Sequence, residues 1–204
     1  MPSDALSHRP ARPKLILGST SRYRRALLER LGMPFDVVAP DVDETPQDHE
    51  APAALALRLA LAKANAVADL HPAACVIGSD QVLDLAGAPM GKPMSHERAR
   101  EQLNQLSGRT VVVHTAVAVV RRSTSFAAVE TVDVRVRYRT LDARTIEHYL
   151  QAEKPYDCAG STKSEGLGIA LIEEIANPDP SALVGLPLIA TCRLLRNAGL
   201  EVLA

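Results

Sequence analysis

Asp80 and Lys92, both within VIGSDQVLDLAGAPMGKP, offer a carboxylate and an ammonium a hairpin apart. The apolar run that stops at Gly78-Ser79-Asp80 reads as a buried strand. An aspartate at the end of such a strand is expected at the mouth of a sheet, where α/β folds bind ligands. Gly87 is expected in the turn, and Gly91-Lys92-Pro93 closes the unit with the lysine in a stiff loop. A second group lies earlier, where Gly18-Ser19-Thr20-Ser21 separates an apolar run from a helical one. There, free backbone N–H groups and the positive end of a helix converge on one place, an arrangement suited to an anion. Arg24 and Arg25 in the first turns oppose the helix dipole by ~0.3–1 kcal/mol each, a conflict that a bound anion removes. Asp41, Asp43 and Glu44, between Pro40 and Pro46, could hold a hard cation. Lys63 sits among apolar residues, its head group either aimed into a cleft or reaching for water. Cations around a small-residue turn suit a polyphosphate, and nearby carboxylates suit Mg²⁺ or Mn²⁺ bridging its oxygens.

Positioning these groups requires regular elements. Lys14–Leu17 and Phe35–Ala39 read as short strands, with a helix from Arg22 to Leu31 between them, capped by Thr20 or Ser21 and stopped by Gly32. Pro52 to Leu70 is a long helix. Ser95 opens another, which Ser107-Gly108 ends. Val111–Val120 is an apolar strand, in which His114 reads as a satisfied core histidine. Val129–Arg139 alternates, with Val132, Val134, Val136 and Tyr138 on one face, as a half-exposed antiparallel strand does. Helices are expected over Leu141–Gln151 and Leu188–Asn197. Between them, Lys154–Ala170 (KPYDCAGSTKSEGLGIA) is the kind of polar, glycine-rich loop on which sites are built. Parallel and hairpin connections together imply an α/β fold: a mixed sheet flanked by helices, with a cleft. Residues 1–13, with three prolines, read as a disordered leader.

Composition excludes several classes. A net charge of −1 supplies no basic field for nucleic acid, and 3% aromatic residues supply no stacking platform for single strands. Cys75, Cys158 and Cys192 form no C-x-x-C pair, so neither a zinc site nor a disulfide framework is expected; Cys75 and Cys192 read as buried thiols. No apolar segment suits a bilayer and no signal peptide is evident, so a cytoplasmic protein is expected. The P-loop, the G-x-G-x-x-G turn and the G-x-S-x-G elbow are all absent.

In chain order, LILGSTSRYRRALLERLG, VDET, Lys63, IGSDQV, GKP, SG…T, YDCAGSTKSEG and VGLP resemble the Maf family of nucleoside triphosphate pyrophosphatases. The resemblance runs from Lys14 nearly to the C-terminus, giving one domain over 14–204. It implies two lobes with a central cleft, similar to inosine triphosphate pyrophosphatases. It also implies hydrolysis of the α–β phosphoanhydride to a nucleoside monophosphate and pyrophosphate with a divalent metal. Asp80 falls on the proton-acceptor position, and Ser19, Arg24, Glu44, Lys63 and Lys92 fall on polar site positions. Asp80 could act as base or hold the metal with Glu44, while Ser19, Arg24, Lys63 and Lys92 would bind phosphates.

Three positions in the family track the base. Where the branch acting on dTTP and UTP carries Arg, Thr and Gln, this chain has Tyr23, Gln81 and Glu165, and its STKSEG loop resembles the branch acting on 7-methyl-GTP. The 7-methylguanine ring is cationic, so an aromatic face (Tyr23) and a carboxylate (Glu165) together favour it. Arg22 stands where a proline is usual, and Cys158 where the pyrimidine branch has lysine. The expected partner is a nucleotide, with neither nucleic acid nor membrane, and a homodimer is compatible with the resemblance. The alternatives are a pyrophosphatase for dTTP, UTP or another non-standard nucleotide, or a non-catalytic nucleotide-binding regulator of septum formation.

Overall fold

The computed structural model describes residues 12–203, so most of the expected leader over 1–13 lies outside the described residues. The first apolar run forms β1 (Leu15–Gly18), buried throughout. Ser21 caps the following helix α1 (Arg22–Glu29), its Oγ accepting from the Arg24 N–H at 3.4 Å. The strand expected over Phe35–Ala39 shortens to β2 (Asp36–Val37). Prolines flank it at 34 and 40, and it lies at the edge of the sheet, where only β1 can hold it.

Helix α2 (Pro52–Leu70) buries Leu55, Ala56, Leu59, Ala60, Lys63, Ala64, Val67 and Ala68, a stripe at helical spacing of which half is alanine. Small side chains there let the helix lie close against the sheet. Before it, the Glu50 carboxylate accepts from Arg58 Nε (2.6 Å) and Nη2 (2.8 Å) and from the Gln47 N–H (3.0 Å). The Arg58 bonds, then that of Gln47, pull its pKa from 4.5 to about 2. A depressed carboxylate stabilises the fold above its unfolded value and ceases to do so as pH falls through the folded one. Glu50→Gln is therefore expected to lower the melting temperature at pH 7. The gap to wild type should close as pH falls from about 4.5 through about 2 in parallel thermal melts.

The central run extends further than its pattern implies. Strand β3 (Cys75–Leu85) passes through Gly78-Ser79-Asp80 without stopping, so Asp80 lies in mid-strand rather than at a strand end. What ends there is its neighbour: β1 pairs with β3 in parallel only as far as Gly18↔Gly78. β4 (Ala88–Met90) takes up the same edge from Leu83 onward through the turn at Ala86-Gly87. Residues 79–82 thus have a strand partner on one side only, and the gap opens the sheet edge at Asp80.

Ser95 caps α3 (His96–Leu106), and β5 (Thr110–Arg121) and β6 (Phe126–Tyr138) then form a long antiparallel pair. Asp142 caps α4 (Ala143–Glu153), and α5 (Leu188–Asn197) closes the chain. A seventh strand, β7 (Ile172–Ala176), lies outside the expected elements; it borders β6 with an irregular register at Arg137/Tyr138. The strand order is β2-β1-β3-β5-β6-β7, parallel at β1 and antiparallel beyond, the mixed sheet expected. One half packs against α1, α2 and α5, the other against α3 and α4. Among the described residues no helix is long and apolar enough to cross a membrane.

Candidate active site

Alternation along β3 sends its polar residues to opposite faces. Asp80 shares the α2 face with Val76 and Val82, and Lys63 lies in the buried stripe of that helix. Gly78 makes their meeting possible, since it leaves no side chain between β3 and the α2 backbone at Ala60 and Ala64. Lys63 Nζ donates to Asp80 Oδ1 at 2.7 Å and lies 2.9 Å from Glu44 Oε2. The lysine is 5% exposed and Asp80 7%, so Lys63 does not reach for water; it is a buried charge made tolerable by two carboxylates. Arg24 Nη2 stands 4.0 Å from Asp80 Oδ1. Burial pulls the Arg24 pKa down, and Asp80 and Glu44 push it back up.

On the opposite face, Ser79 Oγ donates to the Gly185 carbonyl (3.0 Å), which also accepts from Arg24 Nε (2.9 Å). Gln81 Nε2 is 3.0 Å from Thr115 Oγ1 and donates to the carbonyls of Ala182 (3.0 Å) and Leu183 (3.1 Å). With its amide hydrogens engaged, Gln81 has its carbonyl oxygen left to offer a ligand. The loop supplying these carbonyls is pinned by buried Asp179, which accepts from Ser181 Oγ (2.7 Å) and from the N–H groups of Ser181 (3.2 Å), Ile189 (2.8 Å) and Ala190 (3.4 Å). One buried carboxylate therefore caps α5 and sets the carbonyls that orient Arg24 and Gln81.

Of these residues, Arg24, Glu44, Lys63, Asp80, Gln81, Leu183 and Gly185 line a cavity of about 730 Å³. The nine residues that the family resemblance puts in the site, Ser19, Tyr23, Arg24, Glu44, Lys63, Asp80, Gln81, Lys92 and Glu165, are all on its wall, whereas Arg25, Asp41 and Asp43 are not. Six of the nine fall into two sets. Lys63, Arg24, Asp80 and Glu44 form an interlocked cluster, with buried Ser19 beside it, its Oγ 3.4 Å from Arg24 Nη1. Tyr23 belongs to the other, with Asp157, Cys158 and Arg22. Burial pushes the Cys158 thiol up to about 11, with Asp157 and Glu165 adding to the rise against the lowering bond with Tyr23. A protonated thiol is no nucleophile. Lys92 and Glu165 are exposed on the rim.

The geometry also adds groups that sequence reading missed: Arg22, Asp157, Ser79, Thr115, Asp179 and the carbonyls of 182, 183 and 185. Asp157 was one acid among several in a polar loop, and carbonyl direction has no sequence signal. Asn177-Pro178-Asp179-Pro180-Ser181 did carry one, as a turn with a capping aspartate. His114 is absent from the cavity wall and bonds to Asp133 (2.7 Å) and Asp84 (3.4 Å), the satisfied histidine expected. Cys75 is buried as expected, but Cys192 is only partly so, because α5 has sheet on one side alone.

A family model described as "Maf-like protein" matches residues 14–198. The chain belongs to the Maf-like family. Among its Maf-like relatives, the 7-methyl-GTP pyrophosphatase of Polaromonas sp. is 60% identical over 195 residues, 96% of this chain and 89% of that one. The protein of the same name from Bordetella pertussis is 58% identical over 193 residues, covering 94% and 95%. Among solved structures, a HAM1 protein from Coxiella burnetii superposes with a TM-score of 0.44 at 16% identity, over 78% of this chain and 98% of that one.

The two carboxylates expected to hold a metal, Glu44 and Asp80, are both paired with Lys63. Among the described residues no group of three or more His, Cys, Asp or Glu forms a metal cage. Mg²⁺ is commonly held by one or two carboxylates plus substrate phosphates, so this donor set fits it, and Mn²⁺ accepts the same oxygens.

Proposed function

We propose that this Maf-like protein hydrolyses 7-methyl-GTP to 7-methyl-GMP and pyrophosphate. One observation carries the chemistry: the buried Lys63 ammonium between Asp80 and Glu44 on the cavity wall. Water adds to the α-phosphorus, the bond to the α–β bridging oxygen breaks, and pyrophosphate leaves with that oxygen. We assign Asp80 as the group that accepts the proton of the water. Lys63 and Arg24 neutralise charge growing on the phosphates, with Ser19 and the first turn of α1 as further donors and Lys92 reaching in from the rim. Glu44 and Asp80 would hold the divalent cation, which supplies further neutralisation and orients the phosphate oxygens.

The names of the relatives support the choice of base, and so does the chemistry around Tyr23. An aromatic ring with Asp157 and Glu165 on the same wall suits a planar cation. The Gln81 oxygen is an acceptor for the guanine N1–H or exocyclic amine.

The test is pyrophosphate release with Mg²⁺ or Mn²⁺ across 7-methyl-GTP, GTP, dTTP, UTP, CTP and ITP. The expected result is a preference for 7-methyl-GTP. In Glu165→Gln and Tyr23→Ala that preference over GTP should fall by ~2- to 30-fold, the range of a cation–π or exposed charge contact. Preference for dTTP or UTP would keep the reaction and overturn the base assignment. No release from any triphosphate by folded protein would leave a nucleotide-binding regulator.

A further inference from the structure

One cation stands among the carboxylates near Tyr23. The Arg22 guanidinium carbon lies over the Tyr23 ring, 4.8 Å from its centroid. Its Nη2 donates to Tyr23 Oη at 2.7 Å and to Asp157 Oδ2 at 3.1 Å. Tyr23 Oη is itself 3.3 Å from Asp157 Oδ2, and burial pushes that hydroxyl up to about 12, so it remains a neutral donor. The guanidinium is a planar, delocalised cation that stacks on aromatic faces and pairs with carboxylates. A 7-methylguanine ring has the same three properties: it is planar, it is cationic and it carries N–H donors on one edge.

We propose that Arg22 occupies the position a planar cationic base takes against Tyr23 and Asp157, and that Arg22 is a specificity-determining residue. The inference rests on the preceding reading of the substrate. Any base that stacks there displaces the guanidinium, and the cost of doing so is common to charged and neutral bases. It cancels in the ratio of their kcat/KM values, as does any contact Arg22 makes with the triphosphate. Charge does not cancel. The displaced side chain stays tethered beside the base, where it repels a cation but not neutral guanine, and it offsets part of the attraction of Asp157 and Glu165.

Removing the charge therefore sharpens selectivity. In Arg22→Gln and Arg22→Ala, the ratio of kcat/KM for 7-methyl-GTP over GTP is expected to rise ~2- to 5-fold. Arg22 is 72% exposed at the start of α1, so both variants are expected to fold. Calorimetric binding of 7-methylguanosine against guanosine, free of phosphates, should show the same shift. An unchanged or lowered ratio, in proteins that hydrolyse 7-methyl-GTP, overturns the role of Arg22 and leaves the proposed reaction standing. If wild type does not hydrolyse 7-methyl-GTP, the reaction fails, and nucleoside binding decides Arg22 by itself. A variant that binds 7-methylguanosine no better relative to guanosine then overturns it.

Discussion

Asp80→Asn is expected to lose roughly 10²–10⁴-fold in turnover and to remain folded. The side chain keeps its shape, and its amide oxygen can still accept from Lys63 Nζ, now 2.7 Å from Asp80 Oδ1. What disappears is the negative charge that accepts a proton and the anionic oxygen that would hold a cation. Removing one partner of a buried pair normally costs 3–5 kcal/mol. Here Lys63 keeps Glu44 at 2.9 Å and the substituted amide, so about 1–3 kcal/mol is expected. Pyrophosphate release and a thermal melt on the same preparation separate the effects. Turnover within a few-fold of wild type in a folded variant would remove Asp80 from the chemistry.

Gly78→Ala is expected to destabilise the protein by ~3 kcal/mol or more, the upper end for overpacking. A Cβ at Gly78 would overlap the Ala60 carbonyl oxygen and lie 2.5 Å from Ala64 N and 2.9 Å from Ala64 Cβ. Two of these atoms are helix backbone, which no rotamer change can move. α2 must lift from β3, and lifting it draws Lys63 away from Asp80, so turnover falls as well. Gly18→Ala makes a fair control on the adjacent strand. Its Cβ would meet the Ile77 and Lys63 carbonyl oxygens and Val67 Cγ2 at 3.2–3.3 Å, so a smaller loss is expected. For a chain of this size the Gly78 variant should melt about 6–12 °C lower. A melting temperature within about 2 °C of wild type would show that the helix yields without cost.

Much of this site was legible because its parts are local. The strand–turn–helix around Ser19 and Arg24 declares itself through apolar run, small residues and cap, and the structure keeps all three. The α4 and α5 helices, the β3–β4 hairpin and the alternation of Val134, Val136 and Tyr138 are local patterns too. Asp80 was seen as a site carboxylate but placed wrongly on its strand. Gly78-Ser79 looks like a turn in isolation; antiparallel pairing to β5 from Val76↔Val120 to Asp84↔Val112 carries the strand straight through it. β7 escaped because Glu173 and Glu174 break any alternation, and pairing along β6 is what makes IEEIA a strand. The partners of Lys63 depend on how α2 crosses the sheet, which no spacing along the chain reveals.

The length of the strands beneath the cavity has a consequence for motion. β3, β5 and β6 run 11, 12 and 13 residues and stay paired from one half of the molecule to the other. A hinge needs a few residues free to absorb large backbone rotations, and the β3–β5 and β5–β6 ladders run without a shift to supply them. The two halves are thus one girder rather than jaws. Asp80 and Gln81 stand on that girder with their geometry settled before a nucleotide arrives. Lys92 and Glu165, exposed on the rim, are free to move toward a nucleotide, so base reading combines a fixed contact from Gln81 with mobile ones from the rim.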